Sequence, residues 1–171
     1  MTSQESDTPF NFQCIDAIKV SLCIEKEGLG FYEKASKRAR SPKVKNAFAR
    51  LAEEEKEHIR SLQEKARFLQ PALSRKSEGA HVERYVSLNL KGRVFPDLKK
   101  ESIDLMEFEN DAQALEMGIE AEKRSIEVLS RFLTEEKKID VRAIFMHLIV
   151  EEKRHLQTLK ELQGKLAGDS P

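Results

Sequence analysis

Sliding the sequence along itself by 97 positions lays one half on the other, and this repeat constrains the fold more than any other feature. Ile15, Ile18, Leu22, Glu25, Leu29 and Tyr32 fall on Ala112, Leu115, Ile119, Glu122, Ile126 and Leu129. Val44, Phe48, Leu51, Glu55, His58 and Leu62 fall on Val141, Phe145, Leu148, Glu152, His155 and Leu159. Steps of three and four residues are the helical period, so each series is one face of a helix turned toward a core. The repeating unit is therefore a pair of helices, present twice.

The four helices are expected over residues 9–40, 42–69, 101–134 and 138–165. Short links inside each half make the paired helices antiparallel neighbours. Ser41 and Pro42 suit the start of the second helix, since proline's missing N–H costs little there, and Pro71 lies just past its end. Between the pairs 9–69 and 101–165 runs a crossover, 70–100, in which Pro71, Gly79, Gly92 and Pro96 break any long helix. Its Val86, Leu88, Leu90, Val94 and Phe95 are apolar enough to pack on the bundle. A connection of this length can also serve as the hinge of a domain-swapped dimer. The expected class is all-α, one four-helix bundle over 9–165 with solvated tails at 1–8 and 166–171.

Composition narrows the function. Lys plus Arg and Asp plus Glu both number 30, so no basic excess points to nucleic acid. No apolar run approaches the ~20 residues of a membrane span, and MTSQESDTPF has neither a basic nor an apolar leader region, which implies a cytoplasmic protein. Cys14 and Cys23 lie nine residues apart on one expected helix, roughly 13 Å by helical rise, too far for a disulfide. They read as packing residues. Without a Cys-x-x-Cys pair there is no rubredoxin-like or zinc-ribbon module.

Glu25, Glu55, Glu122 and Glu152 interrupt the inward faces, and a buried, unpaired carboxylate loses several kcal/mol of hydration. No Lys or Arg lies on those faces to compensate them. Two divalent cations would, since four carboxylates and two neutral imidazoles then make a neutral assembly. In Glu55-Lys56-Glu57-His58 and Glu152-Lys153-Arg154-His155 the Glu and His stand one turn apart, so each pair can hold one cation. Two such pairs with one Glu from each remaining helix form the site of ferritin-like di-iron and di-manganese bundles. Mixed oxygen and imidazole donors favour iron or manganese, with zinc a less usual occupant. His81 in the crossover, and His147 on an outward face aligned with Arg50, read as ordinary surface residues. Glu53, Glu54, Glu57 and Glu151 lie off the stripe and read as solvated charge.

The segments IEKEGLGFYEKA with LAEEEKEH, and IEAEKRSIEVL with LIVEEKRH, resemble the rubrerythrin branch of the ferritin-like superfamily over about residues 12–165. In that family Glu-x₆-Tyr and Glu-x-x-His recur in both halves. The resemblance implies Glu25, Glu55, His58, Glu122, Glu152 and His155 as ligands of two iron ions, with Glu55 and Glu152 bridging. It also makes Tyr32 the tyrosine beside the ligands. Three departures stand out. Peroxide-reducing rubrerythrins carry a further Glu three residues before the third-helix ligand, where this chain has Ile119. The second-half counterpart of Tyr32 is Leu129, which removes any hydrogen bond to Glu122 from that place. The rubredoxin domain is absent, so electrons must come from a separate donor such as a rubredoxin-like protein.

The implied activity is that of a di-iron oxidoreductase reducing hydrogen peroxide or dioxygen, in a homodimer. Oxygen-dependent hydroxylation of an organic substrate is a second enzyme class. The alternative is an iron-binding ferroxidase serving storage or delivery, which a cage-sized assembly would reveal by its mass. A bundle that binds metal without turnover is the remaining expectation.

Overall fold

The computed structural model describes residues 12–69, 86, 90, 92–95 and 110–168. Among these lie four helices, α1 (Cys14–Arg38), α2 (Pro42–Leu69), α3 (Asp111–Glu135) and α4 (Ile139–Gly168). The tails 1–8 and 169–171, together with Pro71, Gly79, His81, Leu88 and Pro96, lie outside the described residues. No helix among the described residues is long and apolar enough to cross a membrane.

The helices pack mainly as α1 on α2 and α3 on α4, the two halves of the repeat. Their ends are set by local hydrogen bonds. The Gln13 N–H donates to the Asp16 carboxylate at 2.9 Å, so α1 begins at Cys14 and not at residue 9, with Phe12 already turned into the core. Likewise α3 does not begin at 101. Residues 101–109 lie outside the described residues, and Asn110 is extended, its side chain accepting from Gln113 N at 2.9 Å. That bond satisfies one of the free amides of the first turn. Asn110→Ala is expected to cost about 1 kcal/mol and lower Tm by about 2–4 °C; an unchanged melting curve would remove the cap from the account of this helix end. α1 stops at Arg38 instead of 40, and α4 runs on to Gly168, three residues beyond the expected end at 165.

Asp111 joins the halves, because its carboxylate accepts the backbone N–H groups of Arg40 and Ser41 at 2.8 and 2.6 Å. The first residue of α3 is thereby tied to the turn between α1 and α2. At the opposite end Glu136 accepts from the N–H groups of Lys137 and Lys138, both at 2.8 Å, and shapes the turn into α4.

The expected stripes of α2 and α4 are buried except for His58, which is half-buried. On α1 and α3 the buried face is rotated from the expected one: Ile15, Leu22, Leu29 and Ile126 are only half-buried and Ala112 is exposed. Small residues take their place, Ala17, Ser21 and Gly28 on α1 and Ala114, Gly118 and Ser125 on α3. These let neighbouring side chains approach closely; a Cβ on Gly118 would meet Phe31 at 3.3 Å and Leu159 at 3.2 Å.

Two aromatic layers bracket the middle of the bundle. Phe12, Phe132 and Phe145 pack with centroids 5.2 to 5.7 Å apart at one end. Phe31, Tyr32, Phe48 and Phe95 form the other, with Tyr32 5.9 Å from Phe48 and 6.0 Å from Phe95. Phe95 is supplied by the crossover, whose Leu90, Val94 and Phe95 are buried as expected. Gly92, at φ 70°, turns this strap in the left-handed conformation that favours glycine, while its N–H donates to Glu27 at 2.7 Å. Arg124 holds the Val94 carbonyl at 2.9 Å.

Candidate metal centre

Between the aromatic layers lies one polar layer. Glu25, Glu55, Glu122 and Glu152 are each no more than 1% exposed, and they come from α1, α2, α3 and α4 in turn. They divide with the imidazoles into two groups whose ligating atoms lie within 4.8 Å of one another: Glu55, Glu122, Glu152 and His155, and Glu25, Glu55 and His58. All six side chains singled out from the sequence are thus in one place.

Glu55 belongs to both groups. Its Oε1 lies 3.5 Å from His155 Nδ1 and its Oε2 lies 3.8 Å from His58 Nδ1. Glu152, which the resemblance makes a second bridge, sits in the His155 group alone, its Oε2 3.5 Å from Nδ1 and its Oε1 accepting from the Ser125 hydroxyl at 2.6 Å. His155 Nδ1 is also 3.5 Å from Glu122 Oε1, and His58 Nδ1 is 3.2 Å from Glu25 Oε2.

Both imidazoles therefore direct Nδ1 inward. Their Nε2 atoms point at carboxylates of the other repeat: His155 at Glu54, 3.4 Å away, and His58 at Glu151, 3.6 Å away. An Nε2 proton directed at a carboxylate leaves the Nδ1 lone pair for the interior. Glu54 and Glu151 are accordingly not the freely solvated charges expected for off-stripe residues. The signal was present in the sequence, since both halves place a Glu immediately before the inward Glu.

Tyr32 lies against the carboxylate of α3. Its hydroxyl donates to Glu122, across the bundle, and not to Glu25 seven residues before it. Seven residues are two helical turns, roughly 10 Å of rise, so Tyr32 stands two turns from the carboxylate of its own helix. By the repeat, the side that Leu129 leaves without a tyrosine is that of Glu25. Burial and the charge of Glu122 push the Tyr32 phenol well above its ordinary pKa, so it stays a protonated donor.

The electrostatics are those of acids forced together. Burial, then the charge of Glu55, raises the Glu25 pKa; burial, then the charge of Glu152, raises that of Glu122. Burial also opposes ionisation of Glu55, but contacts with Glu25, His155 and His58 outweigh it and lower that pKa to about 2. For His155 burial disfavours the cation, yet the surrounding Glu122, Glu152 and Glu55 raise its pKa.

Among the described residues, Glu25 Oε1, Glu55 Oε2, Glu122 Oε2, Glu152 Oε2 and both His155 nitrogens are buried with no hydrogen-bond partner. Buried polar atoms without partners are costly. Here one oxygen of every carboxylate is left over, and every carboxylate offers an atom to one of the two groups, which suits hard or borderline divalent cations taking oxygen and imidazole donors. Cys14 and Cys23 lie outside both groups: neither is in a disulfide, both are half-buried, and burial together with a hydrogen bond to Asp140 raises the Cys14 thiol to about 11. His147 is exposed, as expected.

The family model described as Rubrerythrin matches residues 16–163. No curated protein and no solved structure matches the chain.

Proposed function

The chain belongs to the rubrerythrin family, and from that membership we propose that it is a di-iron oxidoreductase that reduces hydrogen peroxide or dioxygen. Glu25, Glu55, His58, Glu122, Glu152 and His155 are its metal ligands in this reading, with manganese the next candidate after iron. The observation that carries it is the set of four carboxylates at 1% exposure or less, each with one oxygen lacking a hydrogen-bond partner among the described residues.

Two ferrous ions held there would supply one electron each, the two electrons that convert hydrogen peroxide and two protons into two waters. The chain's own groups do the rest. Glu55 presents one oxygen to each imidazole and so would serve both positions. The Tyr32 and Ser125 hydroxyls fix Glu122 and Glu152, while the aromatic layers keep water from reaching the centre along the bundle axis. Ile119 is buried where the resemblance puts a further Glu in peroxide-reducing members, so this chain would offer no extra carboxylate from that place.

Electrons come from a separate donor of rubredoxin-like type in this proposal, and the active unit is a homodimer. The cytoplasm is the compartment in this proposal. A ferroxidase serving iron storage or delivery would use the same ligands, and the mass of the assembly separates the two: a dimer favours redox turnover, a cage favours storage. The direct test is anaerobic Fe(II)-loaded protein mixed with hydrogen peroxide. Rapid growth of ferric absorption in the near ultraviolet is expected; a ferrous spectrum unchanged by excess oxidant would contradict the proposal.

A further inference from the structure

The repeat makes the two halves of the polar layer equivalent in ligands but not in surroundings. On the His155 side two hydroxyls hold the carboxylates, Tyr32 on Glu122 and Ser125 on Glu152. The repeat counterparts of those residues are Leu129 and Gly28, neither of which has a hydroxyl to donate. Gly28 is also fixed by space, since a Cβ there would lie 2.7 Å from Glu55 Oε1. Exposure follows the same division: the His58 side chain is 20% exposed and that of His155 1%.

The open side has a passage. A cavity of about 200 Å³ lies between α2 and α4, lined by His58, Glu57 and Ser61 on one wall and His147 and Glu151 on the other, with Glu25 at its floor. Glu25 is 1% exposed, and its Oε1, buried and without a hydrogen-bond partner, belongs to the residue that closes this cavity. A wider groove between the same helices, about 720 Å³, also reaches His58 and Glu151 and opens to solvent.

We propose that the Glu25, Glu55 and His58 position exchanges its cation with solvent through the opening between α2 and α4, whereas the Glu122, Glu152 and His155 position retains its own. This rests on the six side chains holding two cations. Carboxylates oriented by a neighbouring hydrogen bond bind metal about 10- to 100-fold more tightly than unsupported ones, and among the described residues hydroxyl groups give that support to Glu122 and Glu152 alone of the four. Hydrated divalent cations enter where the carboxylate of Glu25 meets the cavity, drawn by Glu25 and by Glu57 at its wall against the opposing charge of Lys65, while Glu151 is paired with Arg154.

The test is release of Mn(II) from fully loaded protein into excess chelator, followed in time. Two phases of one cation each are expected, with rates differing by at least about tenfold. His58→Ala should lose the fast phase and keep the slow one. Ser61→Trp, an exposed substitution that narrows the opening, should slow the fast phase and leave the slow one unchanged, and Ser125→Gly should speed the slow phase about 10-fold or more. One common rate for both cations, or loss of the slow phase in His58→Ala, would overturn the proposal. Failure to load two cations at all would overturn the metal reading itself, a different outcome seen before any chelator is added.

Discussion

Glu55→Ala is expected to reduce binding from two cations per chain to at most one weakly held cation. Glu55 is the only one of the four carboxylates present in both groups of ligating atoms, with an oxygen facing each imidazole. Its removal takes a ligand and a negative charge from both positions at once. Glu152→Ala removes a ligand from the His155 group alone, so it should leave the Glu25 and His58 position able to bind. Glu53→Ala, at an exposed residue two before Glu55 in sequence and outside both groups, is the control and should bind two. Metal analysis after gel filtration reads all three. Two cations retained in Glu55→Ala would mean that the ligands are other groups.

Metal removal should also reverse the response of stability to pH. Glu25 and Glu122 have raised pKa values in the folded, metal-free chain, and so does His155. A group whose folded pKa lies above its unfolded value stabilises fully below the unfolded pKa and loses that contribution as pH rises through the folded one. The two carboxyls therefore cost stability as pH climbs above about 4.5, and His155 above about 6.5. Glu55 has the opposite sign: its pKa of about 2 adds stability above the ordinary carboxyl range that is lost as pH falls toward 2.

Between pH 5 and 8 the metal-free protein should thus melt at progressively lower temperature. Cations displace the same protons, so loading should release protons and raise Tm more at pH 8 than at pH 5. With free cation at about 100 times Kd one site contributes about 2.7 kcal/mol, or roughly 5–10 °C in a chain of this size. Melting curves of loaded and metal-free protein across that range measure the gap. A gap that narrows as pH rises would contradict the assignment of protons to Glu25, Glu122 and His155.

The sequence carried the bundle and the six inward side chains because both depend on helical period alone. Glu55 and His58 are one turn apart wherever α2 packs, and the repeat at 97 makes coincidence hard to sustain. What period does not carry is which residue meets which across the bundle. Tyr32 reaches Glu122 and not Glu25, and Glu54 turns to the imidazole of the other half, because contacts between helices depend on their relative height and rotation. The buried faces of α1 and α3 were misplaced for a related reason: Gly28, Gly118 and Ser125 look like poor core residues until close helix approach requires small side chains. At α3, Ile103, Leu105, Met106 and Phe108 extend the apolar pattern upstream and masked the capping signal of Asn110 and Asp111.

The most direct measurement is anomalous diffraction at the metal edge from crystals grown with Fe(II) or Mn(II). Two peaks are expected in the middle of the bundle, one ligated by Glu122, Glu152 and His155, the other by Glu25 and His58, with Glu55 touching both. No anomalous peak there, with the same side chains closed on one another or turned to solvent, would contradict the claim that two cations neutralise these buried acids.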